Sequence, residues 1–152
     1  MPALGNETMY SNNTDKTAST VGGLAVGTPG EIRGWQMLHE RHGKLPWAFL
    51  FEPAILLARN GFRVNKDLAD ALSATSYPFL LSDPLWAETY APNGTLLKEG
   101  DVVVRKRYAN TLSILASEGP DAFYNGSLAA NISAAAIKAG GVQPSTCSLK
   151  TC

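Results

Sequence analysis

His39 and His42 stand three residues apart, a spacing that puts two imidazoles on one helix face and is metal-ligand spacing in principle. A metalloprotease helix instead sets its histidines four apart with a glutamate between, and no such pattern is present. Both histidines are therefore expected at the surface or at a helix end, and no metal site is assigned. The segment Val26-Gly27-Thr28-Pro29-Gly30 precedes a helical pattern and offers backbone N–H groups of the kind that hold anions. Pro29 removes one of those donors and Thr28 can occupy another, so Thr28 and Glu31 are expected to form a structural capping box. Gly-x-Ser-like and Ser-x-x-Lys-like patterns are partial, and none has a base in a strand–turn–helix context. Cys147 and Cys152 lie close to the end of the sequence, and two thiols fall short of the four ligands a structural zinc takes. No catalytic, substrate-binding or metal-ligating residue is assigned, and no cofactor is expected.

Asparagine carries the other chemical signal. Nine asparagines and 22 serines and threonines in 152 residues predict about one chance Asn-x-Ser/Thr match. Five occur, at Asn6, Asn12, Asn93, Asn125 and Asn131. Asn125, Asn12 and Asn93 lie in turn or loop sequence and are the glycan candidates, Asn125 first. Asn131 falls inside a helical pattern and is expected to be a poor acceptor.

The elements that would hold these residues are mostly helices. Residues 1–22 are rich in Asn, Thr and Ser and read as loop. The helix after Pro29 carries Ile32, Trp35 and Leu38 at helical spacing and stops at Gly43. A second runs from Pro46 to Arg59 and is expected to break or restart at Pro53. Asn65 is placed to cap a third holding Leu68, Ala71 and Leu72. Residues 76–100, with Pro78, Pro84, Pro92 and the Asn93-Gly94 turn, should be irregular. Asp101–Val104 suggests a short strand. Lys106–Glu118 is helical with Tyr108, Leu112 and Leu115 inward, and Ser127–Ala139 is helical with Leu128, Ile132 and Ala135 inward. Trp35, Trp47 and Trp86 are expected to pack in the core rather than to form a binding face. The fold class is mainly α with a few short strands.

Composition narrows the function. The formal net charge is zero and hydrophobic residues make up 45% of the chain, so a core can form and no basic excess marks a nucleic-acid binder. The densest basic run, Arg105-Lys106-Arg107, is too short to track a phosphate backbone and is expected to face solvent. No run approaches the ~18 apolar residues of a membrane helix. Met1-Pro2-Ala3-Leu4-Gly5-Asn6 shows neither the basic start nor the apolar stretch of a signal peptide, so no compartment is assigned.

Three dense segments carry a resemblance. Gly23-Leu24-Ala25-Val26-Gly27-Thr28-Pro29-Gly30-Glu31-Ile32-Arg33-Gly34, His42-Gly43-Lys44-Leu45-Pro46-Trp47 and Phe51-Glu52-Pro53-Ala54-Ile55-Leu56-Leu57-Ala58-Arg59-Asn60-Gly61-Phe62 resemble the large subunit of gamma-glutamyltranspeptidases. Lys98-Glu99-Gly100-Asp101, Glu118 to Gly126 and residues 136–142 continue it in order. The resemblance implies an N-terminal-nucleophile hydrolase with a four-layer αββα sandwich, of which this region is a fragment of the larger subunit. It implies a precursor that cuts itself to expose a threonine, whose freed amine serves as base while backbone donors hold the oxyanion. The implied substrate is a small gamma-glutamyl compound such as glutathione, and the implied partner is a small catalytic subunit. The nucleophile motif, the Gly-Gly oxyanion segment and the arginine that grips the substrate carboxylate belong to family stretches absent here. The parent would be secreted, anchored at the plasma membrane or vacuolar.

The sequence accordingly divides into a loop at 1–22, a partial large-subunit region at 23–142 and a tail at 143–152 that resembles nothing in the family. Met1 is read as an internal methionine of a longer chain, inactive on its own. Alternatives are a non-catalytic binding or regulatory protein on the same helical region, and a fragment of a related acylase. A piece taken from a sandwich should expose an apolar face where the sheets belong.

Overall fold

The computed structural model describes residues 6–11, 13–74 and 77–141. The chain divides into two compact units, Met1–Phe49 with Ile114–Cys152, and Leu50–Ser113. Helices dominate both, as expected from the apolar spacing.

In the discontinuous unit no helix or strand precedes Gly23 among the described residues, but the loop is well tied. Asn6 Oδ1 accepts from Thr8 N at 3.0 Å, Asn13 Oδ1 from Asp15 N at 3.0 Å, and Asp15 Oδ1 from both Thr17 N and Thr17 Oγ1 at 2.8 and 2.7 Å. These are the side-chain turns that Asn and Asp favour. A 3-10 turn at Gly23–Ala25 follows, then α1 at Glu31–His42, the shared helices α2 at Trp47–Asn60 and α6 at Lys106–Glu118, the single turn α7 at Asp121–Tyr124, and α8 at Ser127–Lys138. Gly23 N donates to Ala139 O at 2.9 Å, and a Cβ on Gly23 would collide with the Ala136 carbonyl and Gly141 N. Only glycine lets the backbone come this close to the end of α8. Ile32, Leu115, Ala122, Tyr124, Leu128 and Ala136 form this unit's core.

The contiguous unit holds α3 at Lys66–Ala74, α4 at Phe79–Ser82, α5 at Pro84–Tyr90 and a two-stranded antiparallel sheet. Its strands, β1 at Phe62–Arg63 and β2 at Val102–Val103, pair Phe62 with Val103 and Arg63 with Val102. Val64 N donates to Asp101 O and Gly100 N to Val64 O, so the ladder continues one step beyond the strands. Asn65 caps α3 as expected, its Oδ1 accepting from Leu68 N at 3.0 Å.

Several expectations are corrected. The stretch 76–100 is not irregular throughout: Asp83 accepts from Leu85 N at 2.8 Å and Pro84 stands at the first helical position, together starting α5. Pro78 and Pro84 begin helices rather than prevent them, and Pro92 stands in the turn after α5. α2 runs through Pro53 without a break. The carbonyl that loses its partner there belongs to Phe49, whose residue is half exposed, so water can satisfy it. In α6, Tyr108 points outward and Ala109 takes the fully buried position, while Leu112 and Leu115 are buried as expected. In α8, Leu128 is inward, but Ser133 and Ala136 are buried in place of Ile132 and Ala135. The close approach of Gly23 and Gly141 to the Ala136 carbonyl fixes that rotation. Trp35 and Trp86 are exposed and only Trp47 is largely enclosed, its indole N–H donating to Leu115 O at 2.8 Å.

α2 is apolar beyond one stripe. Phe51 and Ala58 are buried, yet Phe49, Leu50, Leu56 and Leu57 remain exposed. A helix hydrophobic all round belongs inside a larger body of protein. Among the described residues no helix is long and apolar enough to cross a membrane.

The Asx turn at Asp15 yields a titration test. The Thr17 hydroxyl, and secondarily the Thr17 backbone N–H, holds the Asp15 carboxyl below its ordinary value. A depressed folded-state pKa contributes stability above the unfolded value and loses it as pH falls through the folded one. In Thr17→Val, NMR titration of the Asp15 carboxyl should give a higher pKa than in the parent sequence, with the remaining backbone bond keeping part of the depression.

Candidate functional site

α1 starts at Glu31 with Gly30 as its N-cap residue, so Thr28 is not the N-cap that the expected capping box needs. Thr28 stands two residues ahead of the cap, and Glu31 occupies the first helical position rather than the third. The missing cap comes from Tyr124, at the end of α7. Its hydroxyl donates to Pro29 O at 2.6 Å and accepts from Arg33 N at 3.2 Å, thereby satisfying an N–H of the first turn. The tyrosine is buried, with only 1% of its surface exposed, so both bonds are shielded from water.

Arg33 completes the arrangement. Its guanidinium lies 4.6 Å from the centre of the Tyr124 ring, Nη2 meets Asp121 Oδ1 at 2.6 Å, and Nη1 donates to Gln36 Oε1 at 2.7 Å. Asp121 is mostly exposed, so the ion pair contributes little and the stacking and packing of the arginine stem matter more. Arg33, Tyr124 and Asp121 thus join the start of α1 to α7, a constellation that local spacing did not reveal.

A cavity of about 120 Å³ opens beside this cap, walled by Val26, Pro29, Phe123, Ile132 and Ala136 among others. Its surface is nearly all apolar, so it suits a hydrocarbon group; the hydroxyl residues Thr28, Tyr124 and Ser133 also line it, whereas no carboxylate, imidazole, amine or thiol does. In the contiguous unit a wider cleft of about 450 Å³ lies between α5 and the start of α6. Trp86 and Tyr90 stack at 5.8 Å on one wall. Arg105 lies 4.1 Å over the Tyr108 ring, and Arg107 Nε reaches Glu88 Oε2 at 2.9 Å. Lys106 and Arg107 face solvent as expected of the basic run, whereas Arg105 is half-buried against its tyrosine.

The histidines are not brought together as ligands. His39 Nε2 donates to Leu45 O at 2.8 Å and its ring meets Trp47 edge-on at 5.5 Å, closing the turn between α1 and α2. His42 is exposed at the last position of α1. Among the described residues no group of three His, Cys, Asp or Glu side chains is placed to hold a metal ion. Asn125 is the exposed C-cap residue of α7, and Asn93 is exposed in a turn closed by Gly94 N on Ala91 O at 2.9 Å. Asn131 lies exposed within α8, and Asn12 and both cysteines fall outside the described residues.

Comparison with known proteins agrees with these elements. The gamma-glutamyltranspeptidase family profile matches residues 1–144. A glutathione hydrolase proenzyme of Arthroderma benhamiae is 49% identical over 130 residues, covering 84% of this chain and 22% of that protein. A glutathione hydrolase of Aspergillus flavus is 41% identical over 128 residues, covering 82% of this chain and 22% of that protein. The crystal structure of the Helicobacter pylori gamma-glutamyltranspeptidase superimposes with a TM-score of 0.85 at 28% identity, over 95% of this chain and 42% of that one. The chain thus spans about a fifth of the length of the curated relatives it matches.

The tyrosine cap can be tested by deletion of one oxygen. Tyr124→Phe keeps the ring under Arg33 but leaves Pro29 O and Arg33 N without their partner. Burying two unmatched polar groups should cost about 1–3 kcal/mol, read as a lower urea midpoint at unchanged slope.

Proposed function

Because this chain belongs to the gamma-glutamyltranspeptidase family, we propose that it is part of the large subunit of an enzyme that cleaves the gamma-glutamyl bond of glutathione. The parent passes the glutamyl group to water or to an amine acceptor. The single observation that carries this reading is the colinear family match over residues 1–144, with relatives named for glutathione hydrolysis. Residues 23–142 are the large-subunit region in this proposal, and a small catalytic subunit, outside this sequence, supplies the nucleophile.

The chain's own contribution is structural. α1, fastened by Tyr124, and the apolar helix α2 pack against the layers of an αββα sandwich. The exposed Phe49, Leu50, Leu56 and Leu57 support that role, since a free-standing helix gains nothing from leaving them in water. Asn125 and Asn93 are exposed glycan acceptors in the same reading, and Asn12 is a third candidate on its sequence alone.

Sequencing of the transcript across both ends of the reading frame tests the parent directly. A message continuing into a threonine nucleophile segment is the expected result, and one confined to this frame would overturn the enzyme reading. The purified 152-residue chain should release no amine from a chromogenic gamma-glutamyl anilide, whereas the protein translated from the longer message should. Turnover by the short chain that survives repurification and heat controls would reveal a nucleophile within it.

A further inference from the structure

Three Asn-Gly dyads occur in the sequence, Asn60-Gly61, Asn93-Gly94 and Asn125-Gly126. Such a dyad can rearrange without an enzyme. The glycine amide nitrogen gives up its proton and bonds to Cγ of the asparagine, and the Cγ–Nδ2 bond breaks to release ammonia. Water then opens the resulting succinimide. Attack at the side-chain carbonyl gives aspartate, and attack at the main-chain carbonyl gives isoaspartate. Overall one amide and one water become one carboxylate and one ammonia, a gain of about one mass unit. Glycine favours the step because no Cβ shields its nitrogen.

The fold treats the three nitrogens differently. Gly61 N donates to Leu57 O at 2.9 Å, and the glycine is wedged against Val102 and Val104. Gly94 N donates to Ala91 O at 2.9 Å and closes its turn. A nitrogen held in this way must first break its bond and leave its place before it can attack. Gly126 is the exception: it is exposed, and its N–H donates to no acceptor among the described residues. The preceding Asn125 is exposed as well, and its side chain makes no hydrogen bond among the described residues. Its main chain is held on the other side, by Asn125 N to Asp121 O at 2.9 Å, and Gly126 packs on the Ala122 backbone much as Gly61 packs on its valines, whereas Gly94 meets nothing. What sets Gly126 apart is therefore its nitrogen alone, which has no hydrogen bond to break before it attacks.

We propose that Asn125 is a spontaneous modification site, where the free Gly126 nitrogen converts it to aspartate and isoaspartate ahead of Asn60 and Asn93. The same Nδ2 is the atom that would carry a glycan, so glycosylation and conversion exclude one another. Conversion also erases the Asn-Gly-Ser acceptor. The new carboxylate stands at the α7–α8 turn, where Ser127 Oγ already donates to Glu118 Oε2 at 2.7 Å.

The test uses the unglycosylated full chain at low concentration, held at mildly alkaline pH and physiological temperature. Trypsin places the three dyads in separate peptides, and mass spectrometry in oxygen-18 water scores each one. Asn125 should convert several-fold faster than Asn60 or Asn93 in buffer. In concentrated urea the three rates should draw together, because each asparagine is followed by glycine. Asn125→Gln should silence that peptide and leave the other two rates unchanged. Equal or faster conversion at Asn93 or Asn60 in buffer would overturn the proposal. So would a lead for Asn125 that persists undiminished in urea, since it would then owe nothing to the fold.

Discussion

The hydroxyl of Tyr124 holds one unit of this protein in register. It is a single oxygen with one proton to give and lone pairs to receive, and it uses both capacities. By donating to the carbonyl of Pro29 it fixes the approach to α1, and by accepting from Arg33 N it supplies the cap that Gly30 has no side chain to make. The ring beneath carries the Arg33 guanidinium, which reaches Asp121 on the same short helix as the tyrosine. Position, cap and charge therefore converge on α7, an element of only four residues. Such a short helix has almost no stability of its own. It persists because Ala122 and Tyr124 are buried, and because α8 packs against it.

This explains what could and could not be read from the sequence. Asn65 was legible as a cap because its partner lies three residues away, and the α6 stripe of Leu112 and Leu115 was legible because periodicity is local. The box of Thr28 and Glu31 was an equally local reading, but Gly30 is the N-cap residue and a residue far along the chain bonds the first turn. Local chemistry did signal α5: Asp83 before Pro84 is a strong helix start, masked by the surrounding prolines. Tyr108 and Ile132 show the other limit. Periodicity placed them on an inward stripe, but the neighbouring small residues Ala109 and Ser133 point inward, since tight backbone packing has room for them and not for a bulky side chain. β1 has only two residues, too few for any alternation to be seen.

The exposed surface of α2 needs a different explanation. Intrinsic helix signals account for its bounds, but not for leucines on the faces that the described residues leave in water. A sequence selected only for this chain would place charge there, as α1 does with Glu40 and Arg41. Leaving the leucines in water carries the ordinary penalty for wetting hydrocarbon. The histidines serve the turn after α1, and the basic run divides between an aromatic ring and a carboxylate.

The division of the chain has a consequence for synthesis. Leu50–Ser113 is one uninterrupted stretch, whereas the other unit is assembled from two segments on either side of it. Gly23 cannot find the carbonyl of Ala139, nor Pro29 the hydroxyl of Tyr124, until the ribosome has released those later residues. Leu50–Ser113 can therefore settle while the segment before it still waits for the segment after it, as expected when long loops must close before distant contacts form. During that interval the first segment, with the exposed apolar residues of α1, is the part of the nascent chain that most needs shelter.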